Sequence, residues 1–398
     1  MDSTVSPVSP VSPDPTAPAD PADPTPGSPL DRHALRARVW AELTAFLDRQ
    51  EKLLAGVGDE LAPAVATLRD FLDGGKRMRP AFCYWGWRAA GGAESGSARQ
   101  EAAAMRAAAA LELLQASALI HDDFMDGSDT RRGAPSIHRR FAALHRAGGW
   151  GRPGTQGGAD RFGAAAAILL GDITLTWCDE MFTRCGLPAG RIQRARPLFD
   201  LMRSEVMAGQ YLDAVAQARG LSVSTPGEAL ARARTVITYK SAKYTVERPL
   251  QLGAALATGR ADGPLIDALS AFGLPLGEAF QLRDDVLGVF GDPAATGKPA
   301  GDDLREGKQT VLIALAVDRA AAADAKELRS AVGDPALAPD GVARLQAIIA
   351  GTGALAAVER RIGELTEAAL GALRRAGITA EAREALAELA VAATDRTG

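Results

Sequence analysis

This sequence of 398 residues contains few cysteines and few aromatic side chains, and it has no large excess of charge of either sign. The three cysteines (Cys83, Cys178 and Cys185) follow no common spacing, which excludes a disulfide framework or a cysteine zinc site and indicates a reducing cytoplasm. The net charge of −4 offers no surface for a nucleic acid. No uninterrupted apolar run reaches the ~20 residues that cross a bilayer, so we expect no membrane span.

The sequence favours helices throughout. Aromatic residues make up 5% of the chain and alanine is abundant; alanine loses least on entering a helix, whereas strands favour aromatic and β-branched residues. Leu35, Val39 and Leu43 form a stripe of helical period, and similar patterns recur to the end of the chain, with a Gly-rich interruption at 147–158. Strand alternation is absent. We therefore predict an all-α protein, built as one large helical bundle over residues 30–398.

The N-terminal residues have a different composition. They repeat Val-Ser-Pro and then alternate proline with alanine, aspartate and threonine, without the basic and apolar regions of a signal peptide. Proline at nearly every third position blocks helix and sheet hydrogen bonding, and little apolar surface is available to bury. We predict a disordered tail over residues 1–29. A proline-rich ligand for a partner is the alternative interpretation.

An acidic cluster ends a long alanine- and leucine-rich helix, predicted over 102–124. Asp122 and Asp126 are four residues apart and share a helix face, with Asp123 beside them. Carboxylates at a helix C-terminus are unfavourable unless cations offset them, and their oxygens suit Mg²⁺, which completes its shell with water and phosphate. The apolar run before the cluster predicts a buried helix, so its acidic end would open into a cavity.

Cationic residues lie on both sides of this cluster. The adjacent Arg131 and Arg132 are predicted on a loop, and planar guanidinium groups bind phosphate oxygens through several hydrogen bonds. The run Gly-Gly-Lys-Arg-Met-Arg-Pro at 74–80 combines glycines, which let a ligand approach the backbone, with three cations before a helix N-terminus. This arrangement indicates metal-assisted diphosphate binding. A solvated acidic helix end with surface salt bridges is the competing interpretation.

A second long helix, predicted over 264–290, also carries an acidic pair near its end, Asp284 and Asp285. Gln281 and Asp284 share a face of that helix, and a Gly-Lys-Pro turn after it carries Lys298. Further back, within a helix predicted over 226–258, the segment Lys-Ser-Ala-Lys-Tyr-Thr places Lys240 and Thr245 five residues apart. Five is an awkward spacing for one face of an α-helix, so these two side chains would face the same side only through a local kink.

Taken in order, these motifs resemble the trans-isoprenyl diphosphate synthase family, and in particular its bacterial geranylgeranyl-producing members. The motifs are Gly-Gly-Lys-Arg-Met-Arg-Pro, Asp-Asp-Phe-Met-Asp with Arg-Arg-Gly, Lys-Ser-Ala-Lys-Tyr-Thr, Phe-Gln-Leu-Arg-Asp-Asp and Gly-Lys-Pro-Ala-Gly-Asp-Asp. The resemblance covers about residues 35–320. It implies a helical bundle around a central cavity and a cytoplasmic homodimer.

The resemblance also implies a role for each matching residue. Mg²⁺ on the allylic diphosphate would be held by Asp122, Asp123, Asp126, Asp284 and Asp285. Arg131 would contact the allylic diphosphate, and the diphosphate group of isopentenyl diphosphate would be bound by Lys76, Arg79 and Arg132. Gln115 stands where many members of the family have histidine, and it can still donate hydrogen bonds to phosphate. The reacting centre would be lined by Lys240, Thr245, Gln281 and Lys298.

The implied reaction lengthens dimethylallyl, geranyl or farnesyl diphosphate by one isopentenyl unit. Metal ions and cations make diphosphate a good leaving group, the double bond of isopentenyl diphosphate attacks the allylic cation, and diphosphate takes the proton. In this family the residues before the first acidic motif set the product length; here they are Ser117 and Ala118, with Leu114 deeper. The small Ser117 predicts a C20 product, geranylgeranyl diphosphate, with C25–C35 products as the alternative.

One position departs from the family pattern. Gly288 stands where the second motif usually has a third aspartate; we expect activity to survive, and Asp292 or Asp302 could compensate.

Two other functions stay open. A class I terpene cyclase would not need the basic run at 74–80, and a non-catalytic subunit of a heteromeric synthase would usually have lost the first acidic motif.

Overall fold

A computed structural model of the chain describes residues 29–150, 157–221, 225–292 and 301–395. Most of the predicted tail, the centre of the Gly-rich loop and Lys298 lie outside the described residues. Within them nearly every segment is helical, which confirms the predicted all-α class.

The first half of the fold surrounds one long helix. In chain order it comprises a 3₁₀ turn (Pro29–Ala34), α1 (Leu35–Ala55), a second 3₁₀ turn (Asp59–Leu61), α2 (Ala62–Leu72), α3 (Met78–Ala89), α4 (Gly92–Ser95), α5 (Ala98–Met125), a hairpin of β1 (Thr130–Arg131) and β2 (Ala134–Pro135), α6 (Ile137–Ala147), α7 (Gly158–Thr183) and α8 (Ala189–Arg219).

The second half contains the other acidic helix end. It comprises α9 (Pro226–Val236), a π-helix (Ile237–Glu247), α10 (Arg248–Thr258), α11 (Pro264–Phe290), α12 (Asp302–Glu306), α13 (Val311–Arg319), α14 (Ala322–Ala331), α15 (Pro339–Gly351), α16 (Ala354–Arg375) and α17 (Ala380–Thr394).

Helix α5 runs through the larger of two hydrophobic clusters. A capping box between Ser97 and Gln100 starts the helix, and its residues 107–111 are fully buried. A helix that is apolar on all sides is stable only inside a protein, and α1, α3 and α7 pack around this one. Its acidic end is therefore carried into the interior, as the sequence predicted.

Helix α11 packs against the π-helix and α16, and its second half belongs to the other hydrophobic cluster. Leu282, Val286 and Val289 face that cluster and are buried. Because these positions recur at helical spacing, Asp284 turns to another side, whereas Asp285 lies along the edge of the buried face and is itself buried. The packing thus fixes the direction in which the second acidic end points.

Two predictions of secondary structure were wrong in detail. The single helix predicted over 226–258 is divided into α9, the π-helix and α10. The loop predicted for the paired arginines contains a two-stranded antiparallel hairpin, in which Thr130 pairs with Pro135 and Arg131 with Ala134. Both departures lie at the candidate site.

The expectation of no membrane span rested on the absence of an uninterrupted apolar run, and that criterion was too strict. Within the described residues, Ala98–Met125 and Gly158–Thr183 are long and apolar enough to cross a membrane, and a bent pair at 339–375 could count as a third. The apolar window of α5 is 78% buried inside the fold, whereas that of α7 is 44% buried. Burial accounts for the composition of α5, and only in part for that of α7.

Candidate active site

The first acidic helix end is surrounded by polar groups from α8 and the π-helix. Lys240 Nζ lies 3.3 Å from Asp122 Oδ1 and 2.6 Å from Asp213 Oδ2, and the Gln210 amide also donates to Asp122. Burial disfavours the charged carboxylate, but the charges of Lys240, Lys308 and Arg131 outweigh it and lower the pKa of Asp122. Asp122 is thereby held as an anion.

Asp123 binds the arginine hairpin. Its side chain is 1% exposed, and Nε of Arg131 donates to both of its oxygens, at 2.9 and 3.2 Å. Arg132 and Gly133 at the tip of the hairpin both have positive φ, as a type I′ turn requires. In this geometry Asp123 is engaged with the hairpin and fixes where the two arginines lie.

Lys308 joins the first acidic end to the second. Its Nζ lies 3.7 Å from Asp126 Oδ2, 3.6 Å from Asp303 Oδ1 and 2.7 Å from Glu306 Oε2. Burial and the charge of Asp122 raise the pKa of Asp126 to about 6 in spite of this lysine. Acidic groups from α5 and from the region after α11 therefore approach one another around a single cation.

The second acidic end is more strongly desolvated. Asp285 is buried and its Oδ1 accepts a hydrogen bond from the Gln281 amide at 2.8 Å. Burial, together with the charges of Asp303 and Asp284, raises the pKa of Asp285 to about 8. The neighbouring Arg283 pairs instead with Glu359 of α16, at 2.6 Å. The unliganded site thus favours a protonated Asp285 near neutral pH.

The basic run at 74–80 is divided between structural and site residues. Arg77, predicted among the anion-binding cations, is buried and pairs with Glu112 of α5 at 2.6 Å, which anchors the run to the core. Gly75 lies against Arg132, since a Cβ at that position would be 2.7 Å from Nη2 of the guanidinium. Lys76 is half-buried on the same run. The run and the hairpin therefore form one basic surface.

Arg79 connects this basic surface to the π-helix. It donates to the Thr245 hydroxyl at 2.8 Å, and its guanidinium lies 4.3 Å from the centre of the Tyr244 ring. The Tyr244 hydroxyl donates to Gln115 Oε1 at 2.9 Å. Nε of Arg79 is buried and has no hydrogen-bond partner within the part of the chain that the structure describes. An orphaned buried donor of this kind suits an anionic ligand.

The π-helix explains how Lys240 and Thr245 serve one site. In an α-helix five residues place two side chains ~140° apart. A π-helix bonds i to i+5 with roughly 4.4 residues per turn, which reduces that angle to ~50°. The sequence predicted that Lys240 and Thr245 would share a side only through a local kink, and the structure has a π-helix over Ile237–Glu247 at that place. Lys240 reaches the first acidic end while Thr245 reaches Arg79.

The residues predicted to set product length differ in their exposure along α5. Gln115 and Ala118 are half-buried and lie on the same face as Asp122, at spacings of seven and four residues. Ser117 and Leu114 are fully buried, and the Ser117 hydroxyl has no hydrogen-bond partner among the described residues. Ala118 therefore lies closer to the open side of the helix than Ser117 does.

The donor set fits Mg²⁺ bound together with a phosphate. Among the residues that the structure describes, no three carboxylate, histidine or cysteine side chains already form a closed metal cluster. Mg²⁺ does not require one, because it takes one or two carboxylates and completes its octahedron with water and phosphate oxygens. The Asp122 and Asp126 carboxylates at one helix end, opposite those of the second, offer that pattern.

Several residues of the site were missed or only noted in the sequence. Gln210 and Asp213, three apart on α8, give no local signal because their partners lie on other elements. Lys308 follows the second acidic motif in the sequence, but its position between both helix ends depends on how α12 packs. Asp303 was passed over in favour of its neighbour Asp302.

Comparisons with known proteins show a family, relatives and solved structures that the chain resembles. A family model described as polyprenyl synthetase matches residues 64–349. A geranylfarnesyl diphosphate synthase of Aeropyrum pernix is 31% identical over 325 residues, 81% of this chain and 90% of the relative. A geranylgeranyl diphosphate synthase of Mycobacterium tuberculosis is 32% identical over 300 residues, 75% of each chain. The crystal structure of a geranylgeranyl pyrophosphate synthase from Corynebacterium glutamicum, complexed with isoprenyl diphosphate and magnesium, superposes with a TM-score of 0.85 at 44% identity, over 92% of this chain and 99% of that chain.

Proposed function

Because the chain belongs to the polyprenyl synthetase family, as its motifs predicted, we propose that it is a Mg²⁺-dependent prenyltransferase that condenses isopentenyl diphosphate with an allylic diphosphate. One observation carries the proposal: Lys308 lies between Asp126 at the end of α5 and Asp303 of α12, and its charge also acts on Asp285 of α11, beside a basic surface. The first acidic motif is intact and the basic run is present, which supports a synthase over a non-catalytic subunit or a terpene cyclase.

The two substrates would occupy adjacent halves of the site. Arg131, Lys240 and Lys308 would face the allylic diphosphate at the acidic side, and Lys76, Arg79 and Arg132 would hold isopentenyl diphosphate at the basic side. Mg²⁺ bound by Asp122, Asp123, Asp126, Asp284 and Asp285 would neutralise charge on the leaving diphosphate. The role of Asp123 in that set would require it to serve the metal as well as the hairpin.

The chemistry needs orientation more than a protein base. Lys240 and Arg131 would stabilise the charge that develops on diphosphate as the allylic C–O bond breaks. The hydroxyl of Thr245 and the amide of Gln281, with Lys298, would line the volume in which the new C–C bond forms. The released diphosphate then takes the proton that leaves the condensed cation. The Thr245–Arg79 contact would keep isopentenyl diphosphate beside the cation.

We propose a C20 product, geranylgeranyl diphosphate. The small side chains of Ala118 and Ser117 would leave room for a long tail below Asp122, and Leu114 would close it. The experiment is incubation with Mg²⁺, isopentenyl diphosphate and dimethylallyl, geranyl or farnesyl diphosphate in turn, followed by chain-length analysis. A C20 end product from all three is expected. Products of C25–C35 would contradict the chain length, and no condensation product would contradict the function.

Two variants test which residue limits the chain. Ala118→Phe is expected to shorten the main product, because position 118 shares the face of Asp122. Ser117→Phe, one residue earlier, tests the position that the sequence predicted as the limit: if it also shortens the product, Ser117 lines the tail, and if it does not, the prediction for Ser117 is wrong. If neither variant changes the product distribution, the limit lies on another helix.

We further propose a cytoplasmic homodimer that forms through the outer face of α7 and α8. Ile168, Leu169 and Tyr211 are exposed there, the last two at 65% and 70%, and a cavity of about 480 Å³ lies between the helices near Arg203. Light scattering should give a molecular mass of two chains, and Leu169→Glu should reduce the measured mass to that of one chain. Recovery of the wild-type chain with lipid vesicles would instead favour a membrane as the partner of α7.

The division of the chain is likewise proposed as a disordered tail over residues 1–29 and one helical domain over 30–398. Little apolar surface and frequent proline in the tail support this division. Limited proteolysis should remove the tail first and leave condensation activity unchanged. Early cleavage within the helices would contradict a single domain.

A further inference from the structure

Two glycines in helix interiors lie against the backbone of the π-helix. Gly209 belongs to α8 and Gly277 to α11, although glycine destabilises a helix interior relative to alanine. A Cβ at position 209 would lie 2.4 Å from the backbone nitrogen of Lys240, and one at position 277 would lie 2.5 Å from Cα of Ala242. An ordinary Cβ contact begins at 3.4 Å, so even alanine at either position would displace the packed backbones by about 1 Å.

The two contacts lie on opposite sides of the π-helix. With roughly 4.4 residues per turn, positions 240 and 242 point ~160° apart. Helix α8 therefore supports the π-helix from one side and α11 from the other. A third close approach occurs at the far end, where a Cβ at Gly273 of α11 would lie 3.0 Å from Cα of Glu247. Backbones packed this closely leave the π-helix little room to move toward either neighbour.

Lys240 is held by α8 at both ends of its side chain. Its backbone nitrogen faces Gly209, and its Nζ lies 2.6 Å from Oδ2 of Asp213, one turn further along α8. The same Nζ lies 3.3 Å from Oδ1 of Asp122 on α5. The placement of the ammonium between carboxylates of two helices therefore depends on how closely the π-helix approaches α8, and the glycine permits that approach.

We propose that Gly209 and Gly277 are positioning residues, which hold the π-helix between α8 and α11 at the separation from which Lys240 reaches the leaving diphosphate. This inference rests on the proposed function, in which Lys240 stabilises the charge that develops on that diphosphate. Gly209 admits the π-helix close to α8, and Gly277 lets α11 support it from the other side. Misplacement of a catalytic group by ~1 Å can cost up to about 10²-fold in rate, so contacts of this kind affect activity.

Side chains of two lengths at position 240 test the proposal. Lys240→Cys is alkylated with 2-bromoethylamine, which rebuilds the length of lysine, or with 3-bromopropylamine, which adds one methylene; in each case the thiolate displaces bromide. Cys83, Cys178 and Cys185 are buried, so the new thiol should react selectively, and mass spectrometry verifies this. With Gly209 present, the lysine-length side chain should give the higher kcat, by at least about threefold, because the backbone is held from two sides.

Gly209→Ala should reverse this preference. Its Cβ would push the π-helix away from α8, so kcat of the chain with unmodified Lys240 should fall by about 10-fold, while KM for isopentenyl diphosphate stays within about threefold of wild type. In this background the longer alkylated side chain should exceed the lysine-length one. Gly277→Ala pushes the π-helix toward α8 and should lower kcat without favouring the longer side chain.

Gly163→Ala is the matched control for damage to packing. Its Cβ would lie 2.2 Å from the backbone oxygen of His138, in a contact between α6 and α7 that does not involve the π-helix. Circular dichroism verifies the folding of each variant. Gly163→Ala should keep kcat within about threefold of wild type, because it leaves the position of Lys240 unchanged.

The outcomes separate the inference from the function on which it rests. Equal activity with the two alkylated side chains in the Gly209 chain, or higher activity with the longer one, would overturn the inference alone, and this outcome requires no glycine variant to fold. So would a folded Gly209→Ala chain that keeps the preference for lysine length, or whose kcat falls no further than that of Gly163→Ala. If the wild-type chain forms no condensation product, the proposed function fails and the inference fails with it.

Discussion

The two acidic helix ends differ in how their negative charge is offset. At the end of α5, Lys240, Lys308 and Arg131 outweigh burial and lower the pKa of Asp122. At the end of α11, burial and the charges of Asp303 and Asp284 raise the pKa of Asp285 to about 8, although Lys308 acts in the opposite direction. The protein itself compensates Asp122 at the first end, where Asp126 keeps a pKa raised to about 6, whereas full ionisation of Asp285 at the second end awaits a bound cation.

This difference indicates unequal roles for two motifs that look alike in sequence. A carboxylate that is ionised before the ligand arrives contributes its full charge at once. A carboxylate that must first lose a proton makes metal binding depend on pH, because metal and proton compete for it. We therefore expect the first end to dominate catalysis and the second to control metal recruitment.

The largest expected effect comes from neutralising one aspartate at each end. Asp122→Asn should lower kcat/KM by about 10³-fold, because it removes preorganised charge at the reacting centre. Asp285→Asn should lower it by only about 10-fold, because the amide resembles the protonated acid already favoured there. Steady-state kinetics with farnesyl and isopentenyl diphosphate measure both. Equal losses would contradict the proposed asymmetry.

A smaller effect is expected when the compensating cation is removed. Lys240→Met should lower kcat by about 10²-fold and move the acidic limb of the pH–rate profile to higher pH, because the charge of Lys240 lowers the pKa of Asp122 and its loss would raise that pKa. Lys243→Met is the matched control, because that lysine lies on the same π-helix but pairs with Glu247 at 3.0 Å. A profile that keeps its acidic limb would show that Lys240 does not set the charge of Asp122.

The smallest effect is on stability in the absence of Mg²⁺. The pKa of Asp285 is raised to about 8, so its contribution to stability is full below its unfolded pKa and is lost as the pH rises toward 8. Asp285→Asn avoids that loss and should exceed wild type in Tm by at least about 2 °C near pH 8.5, with a smaller difference near pH 5.5. Asp122 has a lowered pKa, and its contribution is present above the unfolded pKa and lost on acidification.

Asp122→Asn should therefore lower Tm at both pH values, in contrast to Asp285→Asn. Thermal unfolding monitored by circular dichroism in a chelating buffer measures all three chains. A decrease in Tm for Asp285→Asn near pH 8.5 would show that its ionised form is stabilised in the free protein, and the two acidic ends would then be alike.

Local signals in the sequence were sufficient for the helices that carry both acidic ends. The predicted bounds 264–290 coincide with α11, because a proline at its start and a glycine after its end interrupt the helical period. The predicted 102–124 falls within α5 for a similar reason, since apolar and alanine residues continue without a break. Spacing along the second helix grouped Gln281 with Asp284, whereas the structure joins Gln281 to Asp285, one turn further along.

Contacts between distant residues were beyond such signals. Arg77 resembles a ligand-binding cation in sequence, but its partner Glu112 lies 35 positions away on α5. Lys308 and Asp303 reach the site because α12 packs beside the end of α11, which no periodicity encodes. The π-helix was anticipated only as a kink, because its i to i+5 bonding has no composition of its own.

The wide turn of the π-helix also makes chain length part of the catalytic geometry. A π turn accommodates one more residue than an α turn, so the segment 237–247 carries surplus backbone that tertiary packing must keep from relaxing. Loss of a residue at 237–239, outside the interval from Lys240 to Thr245, would permit ordinary α bonding and return these two side chains from ~50° to ~140° apart. The number of residues in the π-helix that carries Lys240 and Thr245 is therefore constrained as strictly as the identity of either side chain.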